Sequence, residues 1–433
     1  MSRGFSAFVI GAPRSGAGKT LVSLGLMRAL ADSGVRVGPF KCGPDYIDTQ
    51  FHAQACRGRE SVNLDLFMGS RRHVADMFAR RSADCDVAVV EGAMGLFDGY
   101  DGMEGSAADV ARTLGLPVIL VVDASSMAFS AGALIHGFKT FSPDVKVAGV
   151  IFNRAASARH RDMLAGAARA AGVECLGFIG RRQGLQTPSR HLGLTLTGRE
   201  EMERFVAEAA EAVAEGVDMD RLTELCRMER PVADEALSDG VGDATLTVAV
   251  ARDEAFSFIY PANLDALRRR GARIEYFSPI HSDRLPEGAD MIYLPGGYPE
   301  LHARELEANV AMRDAIREFG ESGGRILAEC GGLIYLGRSI DGARMAGLLP
   351  TEATMEGARL TLGYRTVTMP GMTLRGHEFH YSHTVNPDAL PSVATQSDAR
   401  GCAVVTPLYR HKNTFAGYTH LYWGEADILD LWK

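Results

Sequence analysis

The chain has 433 residues, of which 46% are hydrophobic and 23% charged, so at roughly 100–200 residues per domain it predicts two or three globular domains. Its formal net charge of -8 argues against nucleic acid or an anionic membrane surface as the main partner, because both attract basic proteins. Seven scattered cysteines without a CxxC pair, and apolar runs well short of the ~20 residues of a membrane span, indicate a soluble cytoplasmic protein without a zinc cage.

The first half of the sequence alternates short β-branched runs with helical segments. We predict strands at 7–10, 36–39, 87–90, 118–122 and 147–152, with a helix beginning near Lys19. Strands this apolar, separated by helices, are typical of a parallel sheet covered on both faces. The first domain is therefore predicted to be α/β and to span 1–198, followed by an acidic, Ala/Glu-rich helical linker at 199–243.

A second alternation of strands and helices follows the linker. Strands are predicted at 246–251, 273–277, 291–294 and 325–328, and a helix near Pro261. This series predicts a second α/β domain at 244–433, whose last part, 363–433, is rich in strand and turn signals.

The segment GAPRSGAGKT, at residues 11–20, has the composition of a phosphate-binding loop. It directly follows a predicted strand and opens a helix, so its backbone N–H groups can converge on phosphate oxygens. Lys19 can reach the β- and γ-phosphates, and Thr20 can ligate Mg²⁺. Pro13 stands where the standard pattern has its first glycine, so the loop is a variant.

Two further segments carry acidic residues where a Mg-nucleotide site needs them. Glu91 ends the predicted strand in VAVVEGAMGLFDG, and Asp98 follows in a Gly-flanked loop. Carboxyl ends of parallel strands gather ligands, so we expect Glu91 to meet the phosphate loop. In KCGPDYIDTQFH, Asp45 and Asp48 can face one site as metal ligands or as groups that position a phosphorylated intermediate. Asp45 can equally cap the next helix, and His52 fits a structural histidine.

The second half carries the pattern of a thiol nucleophile. ILAECGGLIYLG places Cys330 at a tight turn between a strand and a helix, which predicts an exposed thiol whose pKa is lowered by the helix N-terminus. Gly296 and Gly297 in LPGGYPE, together with Gly331, can direct backbone N–H groups at an oxyanion. His420 in YTHLYWGE is the predicted base, provided that the fold brings it to Cys330.

Taken in order, these motifs resemble the cobyrinic acid a,c-diamide synthase family of glutamine-dependent amidoligases. The resemblance covers almost the whole chain and also includes SRHLGL at 189–194 and GHEFHYS at 376–382. It implies an N-terminal P-loop domain similar to dethiobiotin synthetase, and a C-terminal domain similar to class I glutamine amidotransferases, with a flavodoxin-like fold.

The resemblance also implies residue roles. Cys330 and His420 would be catalytic, and Gly296, Gly297 and Gly331 would form the glutamine and oxyanion site. Mg²⁺ would be held by Thr20, Asp45 and Glu91, and the substrate and phosphoryl group would meet Tyr46, Ile47, Asp48 and Asp98. The predicted ATP-binding residues are Ser15, Gly16, Ala17, Gly18, Lys19 and Thr20.

The activity implied is a carbon–nitrogen ligation in cobalamin biosynthesis, with ATP and glutamine as co-substrates. Glutaminase-derived ammonia would react with an acyl phosphate made on the a and c acetates of cobyrinic acid, in a protein that is a homodimer by the same resemblance. Hydrogenobyrinic acid and nickel sirohydrochlorin are alternative acceptors. A regulatory ATPase of the partitioning type is the alternative from another class.

Two departures from related patterns bear on mechanism. Tyr422 stands two residues after His420, where common class I amidotransferases carry a glutamate, so Cys330 and His420 are expected to act as a dyad unless Glu425 substitutes. Arg14 replaces the signature lysine of partitioning ATPases. GHEFHYS is assigned either to a structural role or to the interface between the two sites.

Overall fold

The computed structural model describes residues 4–182, 185, 198–234 and 246–433. It divides into two compact units, Met1–Leu237 and Ser238–Lys433. SRHLGL, at 189–194, lies outside the described residues.

The described part of the first unit is built on one parallel sheet with the strand order β3-β2-β4-β1-β5-β6-β7. Strands β1 and β4 are buried along their whole length, as the apolar runs predicted. The strands are β1 (Ser6–Gly11), β2 (Val37–Cys42), β3 (Val62–Leu64), β4 (Val87–Glu91), β5 (Val118–Asp123), β6 (Val147–Ala155) and β7 (Glu174–Gly180). The predicted parallel α/β sheet is confirmed, and β3 and β7 extend it.

Helices cover the sheet of the first unit. They are α1 (Lys19–Asp32), α2 (Ile47–Ala55), α3 (Arg71–Ser82), α4 (Ala107–Leu114), α5 (Ala131–Thr140), α6 (Ala158–Ala170), α7 (Gly198–Gly216) and α8 (Met219–Leu225). Phosphate-loop helix α1 is buried over most of its length.

Helices α7 and α8 supply the helical character predicted within 199–243, but the description of this segment as a linker is wrong for its described residues. Helix α7 packs on α1, and its buried side chains, among them Phe205, Val206 and Val213, belong to the core of the first unit. Leu222 of α8 is buried in the same core. The boundary of the unit therefore lies after these helices, at Leu237, rather than at residue 198.

The second unit combines a mostly parallel sheet with antiparallel strands. Its first sheet has the order β20-β21-β11-β10-β8-β9, parallel except between β20 and β21. An antiparallel sheet, β19-β18-β15-β16-β22, and a small sheet, β13-β12-β14-β17, complete the described part.

The strands of the second unit are β8 (Thr247–Ala251), β9 (Arg273–Phe277), β10 (Met291–Leu294), β11 (Arg325–Glu329), β12 (Ser339–Ile340), β13 (Ala343–Arg344), β14 (Glu352–Thr354), β15 (Thr361–Met369), β16 (Met372–His380), β17 (His383–Thr384), β18 (Thr395–Ser397), β19 (Ala403–Val404), β20 (Leu408–His411), β21 (Thr414–Gly417) and β22 (His420–Tyr422). Its α-helices are α9 (Pro261–Arg269), α10 (Ala303–Ala308), α11 (Val310–Glu321) and α12 (Gly331–Leu336). In the described ranges of both units, no helix has the length and apolar composition needed to cross a membrane.

Candidate functional site

The first cluster of functional residues lies at the carboxyl end of β1. The loop between β1 and α1 turns through Gly16 and Gly18, whose φ angles are 76° and 107°. A Cβ atom on Gly18 would lie 2.1 Å from Asn153 Nδ2, which itself donates a 3.0 Å hydrogen bond to the carbonyl of Ala17. Glycine is therefore required at Gly18 both by the backbone angle and by the close approach of Asn153.

The two residues that open α1 point toward the loop after β4. Lys19, which is 8% exposed, donates a short hydrogen bond to the carbonyl of Met94. Thr20 Oγ1 donates a 2.7 Å hydrogen bond to Glu91 Oε1. The neighbouring strands β1 and β4 thus bring Thr20 and Glu91 together, as their places in the sequence predicted.

Glu91 is the centre of a buried ionic cluster. Lys41 Nζ lies 2.9 Å from Glu91 Oε1 and 2.6 Å from Asp48 Oδ2, and His52 Nε2 lies 2.7 Å from Glu91 Oε2. Burial disfavours charge on Glu91, but Lys41 and His52 outweigh it, so the pKa of Glu91 lies below its usual range. Burial likewise opposes charge on Lys41, yet Asp48 and Glu91 raise its pKa. The sequence motif suggested no role for Lys41, whereas the structure makes it the link between two acids, Glu91 and Asp48.

The remaining predicted residues of this half occupy different environments. Asp45 Oδ1 accepts hydrogen bonds from the backbone N–H groups of Ile47 and Asp48, at 2.9 and 2.8 Å, which is the capping role left open above. Tyr46 is buried and Ile47 half-buried. Asp98 is exposed, and its Oδ2 accepts a hydrogen bond from Gly95 N. The loop that carries Asp98 touches the phosphate loop.

The oxygen donors around Thr20 match one kind of metal site and not another. No group of three or more His, Cys, Asp or Glu side chains in the described ranges is arranged to hold a metal ion. Mg²⁺, however, commonly uses one or two carboxylates together with phosphate oxygens and water. The adjacent Thr20 hydroxyl and Glu91 carboxylate fit that pattern, so these two residues are able to hold the ion.

The second cluster begins at Cys330, between β11 and α12. Cys330 has φ 48° and ψ -102°, a strained conformation for a residue that is not glycine, and it directly precedes the first residue of α12. A 2.8 Å hydrogen bond from Cys330 N to the carbonyl of Gly417 fixes this turn to β21. The predicted strand–turn–helix geometry of a nucleophile elbow is confirmed.

The predictions of an exposed thiol and a lowered pKa are wrong for this structure. Cys330 is only 3% exposed, and burial raises its pKa, with a further increase from the charge of Glu300. Hydrogen bonds from the backbone N–H groups of Gly331 and Gly297 act in the opposite direction but do not outweigh burial. The Cys330 thiol is covered in part by β16, which the local motif does not reveal. The carbonyl of Phe379, on β16, lies 3.9 Å from the sulfur.

Gly296 shows that Cys330 and His420 meet. A Cβ atom built on Gly296 would lie 2.2 Å from His420 Cε1 and 3.3 Å from Cys330 Cβ. Both side chains therefore lie beside the same point on the loop after β10, although 90 residues separate them in the sequence. The N–H groups of Gly297 and Gly331 hydrogen-bond the sulfur of Cys330, so both groups lie beside the atom that would attack a substrate carbonyl.

Buried side chains that the sequence analysis did not assign surround this pair. Glu329 accepts hydrogen bonds from Tyr293 Oη (2.9 Å) and Leu421 N (3.1 Å), and burial raises its pKa to about 8. His377 stacks on His420. Glu425 is exposed, whereas His420 is completely buried. His377 and Glu378 of GHEFHYS are thus part of the interior around the predicted base.

Comparison with protein families assigns each half of the chain. A family described as "CobQ/CobB/MinD/ParA nucleotide binding domain" matches residues 8–194, and one described as "CobB/CobQ-like glutamine amidotransferase domain" matches residues 247–428.

Curated relatives match over nearly the full length. "Cobyrinate a,c-diamide synthase" of Syntrophotalea carbinolica is 42% identical, covering 95% of this chain and 94% of the relative. The chain belongs to the cobyrinate a,c-diamide synthase family. The protein of the same name from Salmonella typhimurium is 39% identical over 98% of this chain and 97% of its own length. "Hydrogenobyrinate a,c-diamide synthase" of Brucella abortus is 41% identical over 91% and 93%.

Membership of the cobyrinate a,c-diamide synthase family confirms the fold class expected from the sequence. A nucleotide-binding domain precedes a glutamine amidotransferase domain. The alternative of a regulatory ATPase of the partitioning type fails, because such a protein has no place for the amidotransferase half. Relatives in the family carry two names, cobyrinate a,c-diamide synthase and hydrogenobyrinate a,c-diamide synthase, which differ in the acceptor they state.

Proposed function

We propose that the protein catalyses the ATP- and glutamine-dependent amidation of the a and c acetate carboxylates of cobyrinic acid. The single observation that carries the glutaminase half is the meeting of Cys330 and His420 at Gly296. The names of the curated relatives supply the acceptor. The synthetase half rests on Lys19, Thr20 and Glu91 around the phosphate loop.

In the second unit, we assign liberation of ammonia to Cys330. His420 takes the thiol proton, the sulfur attacks the side-chain carbonyl carbon of glutamine, and the N–H groups of Gly297 and Gly331 stabilise the oxyanion. His420 returns the proton to the leaving nitrogen, which departs as ammonia. Water then hydrolyses the thioester to glutamate. Because Cys330 is buried, glutamine has to displace part of the cover that includes Phe379 before it reacts.

In the first unit, we assign activation of the acceptor to the phosphate-loop cluster. Lys19 and the loop N–H groups hold the ATP phosphates, while a peripheral carboxylate attacks the γ-phosphorus and displaces ADP. The acyl phosphate is electrophilic where the free carboxylate is not, so ammonia displaces phosphate and forms the amide. Two such cycles, on the c and then the a acetate, consume two ATP and two glutamine.

Thr20 and Glu91 are the residues that would hold Mg²⁺ in this proposal, and the bound ion would neutralise phosphate charge. The charge of Lys41 lowers the pKa of Glu91 and so keeps it ionised despite its burial. The metal role of Asp45, and the substrate roles of Tyr46, Ile47 and Asp98, stay predictions. We propose that the protein works in the cytoplasm and forms a homodimer.

The acceptor is tested by a mass-spectrometric product assay with ATP, glutamine and each of cobyrinic acid, hydrogenobyrinic acid and nickel sirohydrochlorin. Each conversion of a carboxylate to an amide lowers the product mass by about one unit, so single and double amidation are resolved. We expect double amidation of cobyrinic acid. Exclusive amidation of one of the other macrocycles would replace the acceptor while keeping the chemistry, and the absence of amidation on all three would reject the proposal.

A further inference from the structure

The stack between His377 and His420 is a feature that the proposed chemistry does not use. The two residues are directly paired across the antiparallel strands β16 and β22. Their ring centroids lie 5.3 Å apart with an interplanar angle of 27°, and the side chains are 2% and 0% exposed. The predicted base therefore packs against a second buried imidazole, which restricts the plane of its ring.

Two tyrosines extend this stack. The hydroxyl of Tyr260 lies 3.1 Å from His377 Nδ1, and Tyr260 directly precedes helix α9. Tyr422, two residues after His420, packs edge-on against Tyr260 with centroids 5.5 Å apart and an interplanar angle of 73°. The four rings of Tyr422, Tyr260, His377 and His420 form a continuous row, which we call the ring row. Tyr260 is 1% exposed and Tyr422 5% exposed.

The charged groups around His420 do not by themselves fix the orientation of its ring. Glu378 contributes a carboxylate charge, but its Oε2 is ion-paired with Arg365 at 2.7 Å. Burial, His377 and His380 lower the pKa of His420 well below its usual range, against the opposing effects of Glu378 and of a hydrogen bond to the backbone of Phe379. Cys330 also borders this site, at the loop position of Gly296. The base is therefore a neutral imidazole at neutral pH, and its orientation depends on packing and hydrogen bonding.

We propose that Tyr260 and His377 are positioning residues that hold the imidazole of His420 toward Cys330, in the role that a carboxylate plays in a triad. This inference rests on the proposed glutaminase function. Tyr260 anchors His377 through its hydroxyl, and His377 fixes the plane of His420 through the stack. Misplacement of a reacting group by about 1 Å costs on the order of 100-fold in rate, so a weakened anchor should be visible in kcat.

The test compares two variants that each remove one buried tyrosine hydroxyl from the second unit. Tyr260→Phe removes the bond to His377, whereas Tyr409→Phe removes a 2.9 Å bond to the carbonyl of Pro387, away from the ring row. For Tyr260→Phe we expect glutaminase kcat to fall by about tenfold or more, with KM for glutamine changed by less than about twofold. Tyr409→Phe should stay close to the wild type in both constants, and ammonium-dependent synthesis should be retained in both variants.

A second readout separates positioning from general loosening of the structure. The rate of Cys330 alkylation by iodoacetamide is measured against pH; its profile should change in Tyr260→Phe and not in Tyr409→Phe. If Tyr260→Phe does not fold, His377→Gln and His377→Leu replace it, and only the glutamine variant, which can still bind the hydroxyl of Tyr260, should retain part of the activity.

Equal effects of Tyr260→Phe and Tyr409→Phe, or a loss confined to KM, would overturn the positioning role. An inactive wild type in the glutaminase assay would instead reject the proposed function itself, so the two failures are distinguishable.

Discussion

At the scale of single residues, Gly296 controls whether the thiol and the base can meet. A methyl group there would overlap the imidazole of His420, because its carbon would lie 2.2 Å from Cε1. We predict that Gly296→Ala lowers glutamine-dependent amidation by about 100-fold or more, since the base is pushed out of line. Ammonium-dependent amidation by the same variant serves as the internal control and should be unchanged. Normal glutaminase turnover in a folded Gly296→Ala protein would show that Gly296 does not border the reacting groups.

Glu329 gives the second unit a pH dependence of stability. Burial raises the pKa of Glu329 to about 8, although the hydrogen bonds from Tyr293 and Leu421 act in the opposite direction. The pKa of a glutamate in the unfolded chain is about 4.3. A raised carboxyl pKa stabilises the folded state fully below the unfolded pKa, and this stabilisation is lost as pH rises through about 8. Each unit of displacement corresponds to about 1.4 kcal/mol.

We therefore predict that Glu329→Gln, which remains neutral and can bond to the same two groups, removes part of the stability loss between about pH 5 and about pH 9. Urea unfolding of wild type and variant at several pH values measures the difference. Glu425→Gln, a change at an exposed position, is the control and should leave the slope as it is in the wild type. Identical slopes for wild type and Glu329→Gln would mean that the pKa of Glu329 is the same in the folded and unfolded states.

Residue types that carry their own chemistry were predictable from sequence, whereas buried supporting residues were not. Lys19, Glu91 and Cys330 stand in motifs whose local order fixes their place at strand ends. Tyr260 meets His377 across 117 residues of sequence, and His377 meets His420 only through the pairing of β16 with β22. The burial of Cys330 depends on a cover from β16, which no pattern around ILAECGG encodes. The signal available was GHEFHYS itself, two histidines and a glutamate in the part of the chain that is rich in strand and turn signals.

At the scale of helices, the packing of α7 on α1 places α7 inside the first unit, so the boundary of that unit lies after it. Gly25 lies at the crossing, where an added Cβ would be 2.5 Å from both Ala209 O and Val213 Cγ2. We predict that Gly25→Ala destabilises the first unit by about 1–3 kcal/mol through overpacking, although alanine is the better helix former by about 1 kcal/mol. Chemical denaturation of the full chain, followed by a probe of the first unit, measures the change.

Gly166→Ala is the matched control for this contact. Gly166 lies inside α6, and no heavy atom lies within 4 Å of a Cβ built there. The higher helix propensity of alanine should therefore stabilise the first unit by about 0.5–1 kcal/mol, because no steric overlap offsets it. Stabilisation of similar size by both substitutions would refute close packing of α7 on α1.

The misplaced linker has a physical reason at this scale. An acidic, Ala/Glu-rich stretch has the same composition whether its helix is a solvated connection or an amphipathic helix packed on a core. The buried side of α7 consists of small and apolar residues such as Val206, Ala209 and Val213, spaced three and four apart. The spacing of these residues could be read from the sequence. The helix against which α7 packs could not, because only the fold shows that Gly25 of α1 leaves room for α7.

At the scale of the whole molecule, two successive series of strands and helices produce two units with separate chemistry. The alternation and the break between the series were predictable, since the periodicity of buried strands and helices is local. The antiparallel sheet of β15, β16 and β22, which supplies both His377 and His420, followed from strand and turn signals only in outline. The register of β16 against β22 is set by pairs distant in sequence, such as His377 with His420, whereas β15 and β16 form a hairpin.

The central claim is that one unit supplies nitrogen and the other prepares the acceptor. It is tested most directly by Cys330→Ser, assayed for amide formation with ATP and either glutamine or an ammonium salt. The account predicts loss of glutamine-dependent amidation, by about 1,000-fold or more, with ammonium-dependent amidation close to that of the wild type. Loss of both activities in a folded variant, or retention of both, would contradict it.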